Sequence, residues 1–149
     1  MLYKRNEFEE IIPKDDLRVG MKFCTREIIH YGWAQDTGLT FYYSHVIQRI
    51  TPKRTKVVCE DGFEFNTREV DFYKVVPEMQ AENEKVKLYR KMIRLTNDLE
   101  KLPATDFVSS GEEMREAVKH LYLFHEFVMK NKEAREQKES TRYGHSKEN

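Results

Sequence analysis

A chain of 149 residues has room for one domain, or for two small units sharing a core. Its 26 Lys and Arg balance 26 Asp and Glu, on each side of Pro77 as well as overall, which excludes a broadly basic nucleic-acid surface and leaves only local patches for phosphate binding. Hydrophobic residues at 39% and aromatics at 12% argue against general disorder, and no stretch reaches the about 18 apolar residues of a membrane span. The charged opening MLYKRNEFEE lacks the apolar run of a secretory signal. The reading is therefore a cytoplasmic protein in which Cys24 and Cys59 stay reduced and buried.

In chain order, residues 1–16 mix charge with Phe8, Ile11, Ile12 and Pro13, as a strand or a short arm lying on a sheet. Gly20 then lets the chain swing into a first strand, Met21–Ile29, where Met21, Phe23 and Thr25 alternate with Lys22, Cys24 and Arg26. His30–Gly38 reads as a loop, with two glycines, Asp36-Thr37 and the only tryptophan. Leu39 to Phe65 reads as two long strands and the start of a third, rich in β-branched and aromatic residues. Thr51-Pro52-Lys53-Arg54 makes its first turn and Glu60-Asp61-Gly62 its second, because proline presets φ and Asp-Gly supplies the positive φ of a tight hairpin. Asp71–Val76, stopped by Pro77, completes about five short strands, a density that predicts a strongly bent sheet or partly closed barrel.

The run Val46 to Phe65, with its Ile-Thr-Pro turn and Asp-Gly-Phe hairpin, resembles the SH3-like barrels of small accessory proteins of phages and mobile elements. The likeness covers the first half of the chain. It implies an SH3-like fold and a habit of binding, and it carries over no catalytic residue.

After Glu78 the period changes from two to that of a helix. Leu88, Met92, Leu95, Leu99 and Leu102 fall on one narrow seam, with Val86, Tyr89 and Ile93 on a second stripe. A helix apolar on two faces is expected to touch the sheet with one and another helix with the other. Pro103 ends it by disfavouring the helical conformation at Leu102. Phe107 and Val108 are expected to tuck under the helices, and Ser110 to Glu113 form a capping box for a second helix. That helix carries Met114, Ala117, Val118, Leu121, Tyr122, Phe124, Val128 and Met129 on a broad face, with Leu123 and Phe127 off it. The expected architecture is α+β: an SH3-like barrel over 1–77, an antiparallel two-helix hairpin over 78–137 packed on the barrel or on a second copy, and a disordered tail over 138–149.

No nucleophile with a base, paired carboxylates or phosphate-cradling glycine loop is recognisable, so the chain reads as a non-enzyme without a cofactor. His30 and His45 could approach Cys24 or Cys59 across the sheet, but no CxxC or HxxxH spacing supports a metal site, and none is expected. His120 and His125 point to different sides of the second helix. Candidate binding residues fall in three groups. Trp33 with Tyr31 could stack on a base or fill a partner's pocket, although the expectation is that Trp33 folds back as a lid on the barrel. Arg49, Lys53, Arg54 and Lys56 form a basic hairpin tip that suits phosphates. Leu123 and Phe127, lying off the main apolar face, need another surface, which suggests a homodimer or a large partner interface. The functional expectation is an accessory protein of phage or mobile-element type that docks on a host protein and modulates it, with direct nucleic-acid binding through the tip as the alternative.

Overall fold

The computed structural model describes residues 4–101 and 111–144. The architecture is α+β, a four-stranded antiparallel curled sheet followed by two helices. A one-turn helix, Lys14–Asp16, leads into β1 (Lys22–Tyr31), β2 (Gln35–Ile50), β3 (Lys56–Cys59), β4 (Glu64–Asn66), α1 (Pro77–Glu100) and α2 (Gly111–Gly144). Strand order follows chain order, so the sheet is a meander built from hairpins.

β2 organises the sheet because it changes partner along its length. Its first part pairs with β1, from Tyr31 opposite Gln35 to Lys22 opposite Val46, and its last residues pair with β3, Ile47 opposite Cys59 and Ile50 opposite Val57. Two register irregularities bend it, as extra residues in one strand do. One lies between Ile28 and His30, where Gly38 at φ +80° accommodates the additional backbone of β2, and the other between Ile47 and Arg49.

Both turns expected in the central run are present. Arg54 sits at φ +56° and donates its backbone N–H to the Thr51 carbonyl at 2.8 Å, while Gly62 at φ +88° closes the turn from Cys59. The stretch His30–Gly38 differs from its reading as a loop. β1 continues to Tyr31 and β2 begins at Gln35, which leaves only Gly32-Trp33-Ala34 as a tight turn. The extension is tied down by Asp36, whose carboxylate accepts two hydrogen bonds from Arg5, at 2.6 and 2.8 Å, and one from the Gly38 N–H. The Arg5 guanidinium holds that carboxyl well below the usual carboxylate range, with the Gly38 N–H adding to the effect.

Asp71–Val76, expected as a fifth strand, contributes bridge positions only. Tyr73 exchanges two backbone hydrogen bonds of 2.9 Å with Cys24 of β1 and bridges Ile11 on its other side. Ile12 N–H to Phe72 and Lys74 N–H to Glu10 complete the contact. The segment thus splices the N-terminal arm onto the outer edge of β1, and Pro77 starts α1 before a ladder can extend.

The core lies inside the curl: Leu17, Phe23, Ile47, Val57, Cys59 and Phe72 are buried, with Ile12 beside them and Met21, Ile50 and Phe65 packed around. A second cluster, Cys24, Tyr42, Tyr73 and Met79, forms with Phe8, Ile11 and Val76 around it. α1 docks on the half of the β2 edge that β3 leaves unpaired. Its Asn83 side chain accepts from the Tyr42 N–H at 2.7 Å and donates to the Tyr42 carbonyl at 2.8 Å, completing backbone pairing where no strand follows. Val86 is fully buried and Tyr89 and Ile93 are half-buried, so the second apolar stripe faces inward, while the seam of Leu88, Met92, Leu95 and Leu99 is exposed.

The chain divides into two compact units, Met1–Asn97 and Asp98–Asn149, and most of α1 falls in the first. α2 continues through Gly144, past the expected end of the helix at Gln137 and into the stretch read as a disordered tail. Leu102, Pro103, Phe107, Val108 and Ser110, and with them the seam's last position, the capping box and the turn of the expected hairpin, lie outside the described residues. Among the described residues no helix is long and apolar enough to cross a membrane.

Candidate functional site

Trp33 occupies the tip of the β1–β2 hairpin and is wholly exposed, which overturns the expectation of a lid. The physical reason is register. The strands stay paired to Tyr31 and Gln35, so a three-residue turn holds the indole beyond the end of the sheet. Trp33→Ala is accordingly expected to change stability by less than about 0.5 kcal/mol, and the single tryptophan to emit as it does in water. Blue-shifted emission together with a large loss in a denaturant titration would contradict this placement. Tyr31 beside it is exposed as well.

The basic tip lies at the opposite end of β2 from Trp33. At about 3.3 Å per residue the two are on the order of 50 Å apart along the strand, so they do not form one surface. Arg54 is turned back into the protein, its guanidinium donating to the Lys14 and Leu17 carbonyls at 2.8 and 2.9 Å. Arg49, Lys53 and Lys56 remain exposed. The structure therefore divides the sequence-predicted group into one structural arginine and three surface cations.

On α2, Leu123 and Phe127 are exposed, and so are Met114, Val118, Leu121, Tyr122, Phe124, Val128 and Met129 of the broad face. The distinction drawn from sequence between covered and uncovered positions does not hold within the described residues. Taken at 100° per residue, these side chains occupy well over half the circumference between Met114 and Met129. Beyond Lys130 the helix is dominated by polar and charged residues.

A fourth constellation gathers around His45, which no binding motif had marked. His45 is buried in β2, its ring centroid 4.8 Å from that of Phe65 and 5.4 Å from that of Phe23. Its Nδ1 lies 2.7 Å from Asp61 Oδ2 and its Nε2 3.3 Å from Thr25 Oγ1. Asp61, in the β3–β4 turn, also accepts the Phe63 N–H at 3.2 Å. Loss of water pushes the Asp61 carboxyl up, but the hydrogen bonds from His45 and the Phe63 N–H outweigh it and hold the group below its ordinary value. Cys59, at the end of β3, is fully buried, and its thiol is pushed up to about 11 by burial first and by the Asp61 charge second. Donor atoms of His45, Cys59 and Asp61 all lie within 4.8 Å of one another. Next to His45, the rings of Tyr43, Phe63 and Phe65 line a shallow recess of about 480 Å³ with Arg26 and Val70.

The signal for this cluster was present in the pairing. Ile47 opposes Cys59, so one further step on the same face puts His45 opposite Asp61. No family model, curated protein or solved structure matches the chain.

Proposed function

We propose that this is a non-enzymatic binding protein that joins a protein assembly through its helices, and that its curled sheet is an SH3-like core. The observation that carries the reading is the run of exposed apolar side chains on α2 between Met114 and Met129. Burying a Leu, Val, Met or Phe side chain is worth about 1.5–3 kcal/mol relative to leaving it in water, so such a run acquires a strong drive toward a complementary surface. The exposed seam on α1, at the four- and three-residue spacing of Leu88, Met92, Leu95 and Leu99, offers a helical partner the same kind of knob. Partners of this description are a second copy of the chain or a host protein. The nucleic-acid alternative retains Arg49, Lys53 and Lys56 but loses Arg54 and the stacking aromatic at Trp33, so the apolar reading is the stronger.

The test is sedimentation of the full chain at micromolar concentration, paired with capture of proteins from a host lysate. Wild type is expected to self-associate or to retain a partner, in a manner weakly sensitive to salt, and Leu121→Glu/Phe124→Glu to lose that association with the sheet unit intact by circular dichroism. A monomeric wild type that retains the same proteins as the double variant would overturn the reading. Association that collapses steeply with added salt would return the weight to phosphate contacts.

A further inference from the structure

The geometry points to a binding site for one zinc-class divalent ion, formed by His45 Nδ1, Cys59 Sγ and Asp61 Oδ2 at the junction of β2, β3 and the β3–β4 turn. This inference is independent of the helices. Its first support is the donor set. One imidazole, one thiolate and one carboxylate suit a borderline-soft transition ion, whereas Mg²⁺ and Ca²⁺ take oxygen ligands.

Distance is the second support. One ligand atom from each of the three residues lies within 4.8 Å of the other two, and the residues come from two segments, β2 and the end of β3 with its turn. Tetrahedral zinc with bonds of about 2.0–2.3 Å places its ligands roughly 3.3–3.6 Å apart. His45 and Asp61, now at 2.7 Å, need to open by about half an ångström, and Cys59 Sγ needs to draw in. Asp61 sits in a turn, where backbone adjusts at less expense than in a paired strand.

The third support is the environment of the imidazole. Without an ion, Nδ1 carries its proton toward the Asp61 carboxylate, which can only accept, and Nε2 accepts from the Thr25 hydroxyl. With an ion on Nδ1, the imidazole proton moves to Nε2 and the Thr25 hydroxyl rotates to accept it. Thr25 thereby becomes the outer-shell group that fixes the ring, a role that metal-ligating histidines nearly always have filled. Starting from neutral imidazole, the net proton released is the one on Cys59 sulfur, displaced as the thiolate bonds to the metal. Asp61 is exposed, so the fourth position opens to solvent and can hold water.

The experiment uses the full chain without an affinity tag, reduced, titrated first with Co²⁺ and then with Zn²⁺. Expected is a thiolate-to-cobalt charge-transfer band that saturates at one equivalent and is erased by zinc. Cys59→Ser should abolish the band and Cys24→Ser, at the other buried cysteine, should leave it unchanged. Asp61→Asn keeps the fold whatever happens to Cys59→Ser, because its side chain is at the surface. It should weaken zinc affinity by at least the roughly 10- to 100-fold that loss of an outer-shell partner causes. No thiolate band in the wild type, a band surviving in Cys59→Ser, or undiminished affinity in Asp61→Asn would each overturn the site.

Discussion

Phe23→Ala is expected to destabilise the protein by about 3–5 kcal/mol, the range for emptying a buried aromatic position in a packed core. Phe23 has no exposed surface, and its ring meets three others, with centroids 4.7 Å from Phe72, 5.4 Å from His45 and 5.8 Å from Phe65. Those partners come from β1's neighbour β2, from β4 and from the segment before α1, so one side chain joins three other parts of the curl to β1. Collapse around the cavity is limited because the Phe65 and Phe72 rings are themselves held edge to face. Urea unfolding followed by circular dichroism measures the loss as a lowered midpoint. Phe63→Ala is the matched control, since Phe63 is 60% exposed and its removal is expected to cost under about 1 kcal/mol. Equal losses at the two positions would place the core elsewhere.

The second large effect is expected at Glu9, the residue that fastens the N-terminal arm. Its side chain is 1% exposed and pairs at 2.7 Å with Arg26, itself 18% exposed. The other carboxylate oxygen accepts the Asn6 N–H at 2.7 Å, and the Arg26 guanidinium lies 5.1 Å above the Tyr73 ring. Removing one partner of a buried pair strands the other charge, at about 3–5 kcal/mol where both are fully enclosed. Because Arg26 keeps some contact with water, Glu9→Ala is expected to fall at about 2–4 kcal/mol. Glu9→Gln preserves the shape and an oxygen for Asn6, so its loss should be smaller. A Glu9→Ala protein as stable as wild type, with the Arg26→Ala change equally silent, would show that the arm does not depend on this pair.

These two residues also mark how unevenly the fold could be read. Phe23 belongs to a strand whose period of two puts it on one face with Thr25, and both are buried, although Cys24 on the other face is buried too, beneath Tyr73 and Met79. The hairpins were readable for a related reason: Pro52 and Gly62 restrict or permit backbone angles regardless of what surrounds them. Glu9 had no such signature. An isolated acid in a charged N-terminal stretch looks like a solvated one, and only the path of the arm across β1 buries it. Asn83 is a parallel case, since a polar residue on a charged helix gives no hint that it completes the backbone pairing of Tyr42.

The candidate sites divide along the same line. For Trp33, sequence composition suggested a long loop, whereas strand pairing persisted almost to the tip and carried the indole into solvent. Arg54 lay in a cluster of like charges, yet the left-handed backbone of the turn directs it onto two carbonyls. The His45, Cys59 and Asp61 cluster is assembled from spacing that matches no metal motif, because its ligands become neighbours through the β2–β3 register.

By itself, then, the amino-acid sequence determined what depends on local stereochemistry and on periodic burial: the α+β order, the hairpin turns, the buried alternation in β3 and the two stripes of α1, whereas β1 is buried on both faces from Phe23 to Thr25. Tertiary structure alone decided which stripe of α1 meets the sheet, which charges are enclosed, and which distant donors converge at His45. The reason is that φ/ψ preferences and hydrophobic period act between near neighbours in the chain, whereas those three outcomes depend on strand register and the bending of β2, set by contacts between residues far apart in sequence.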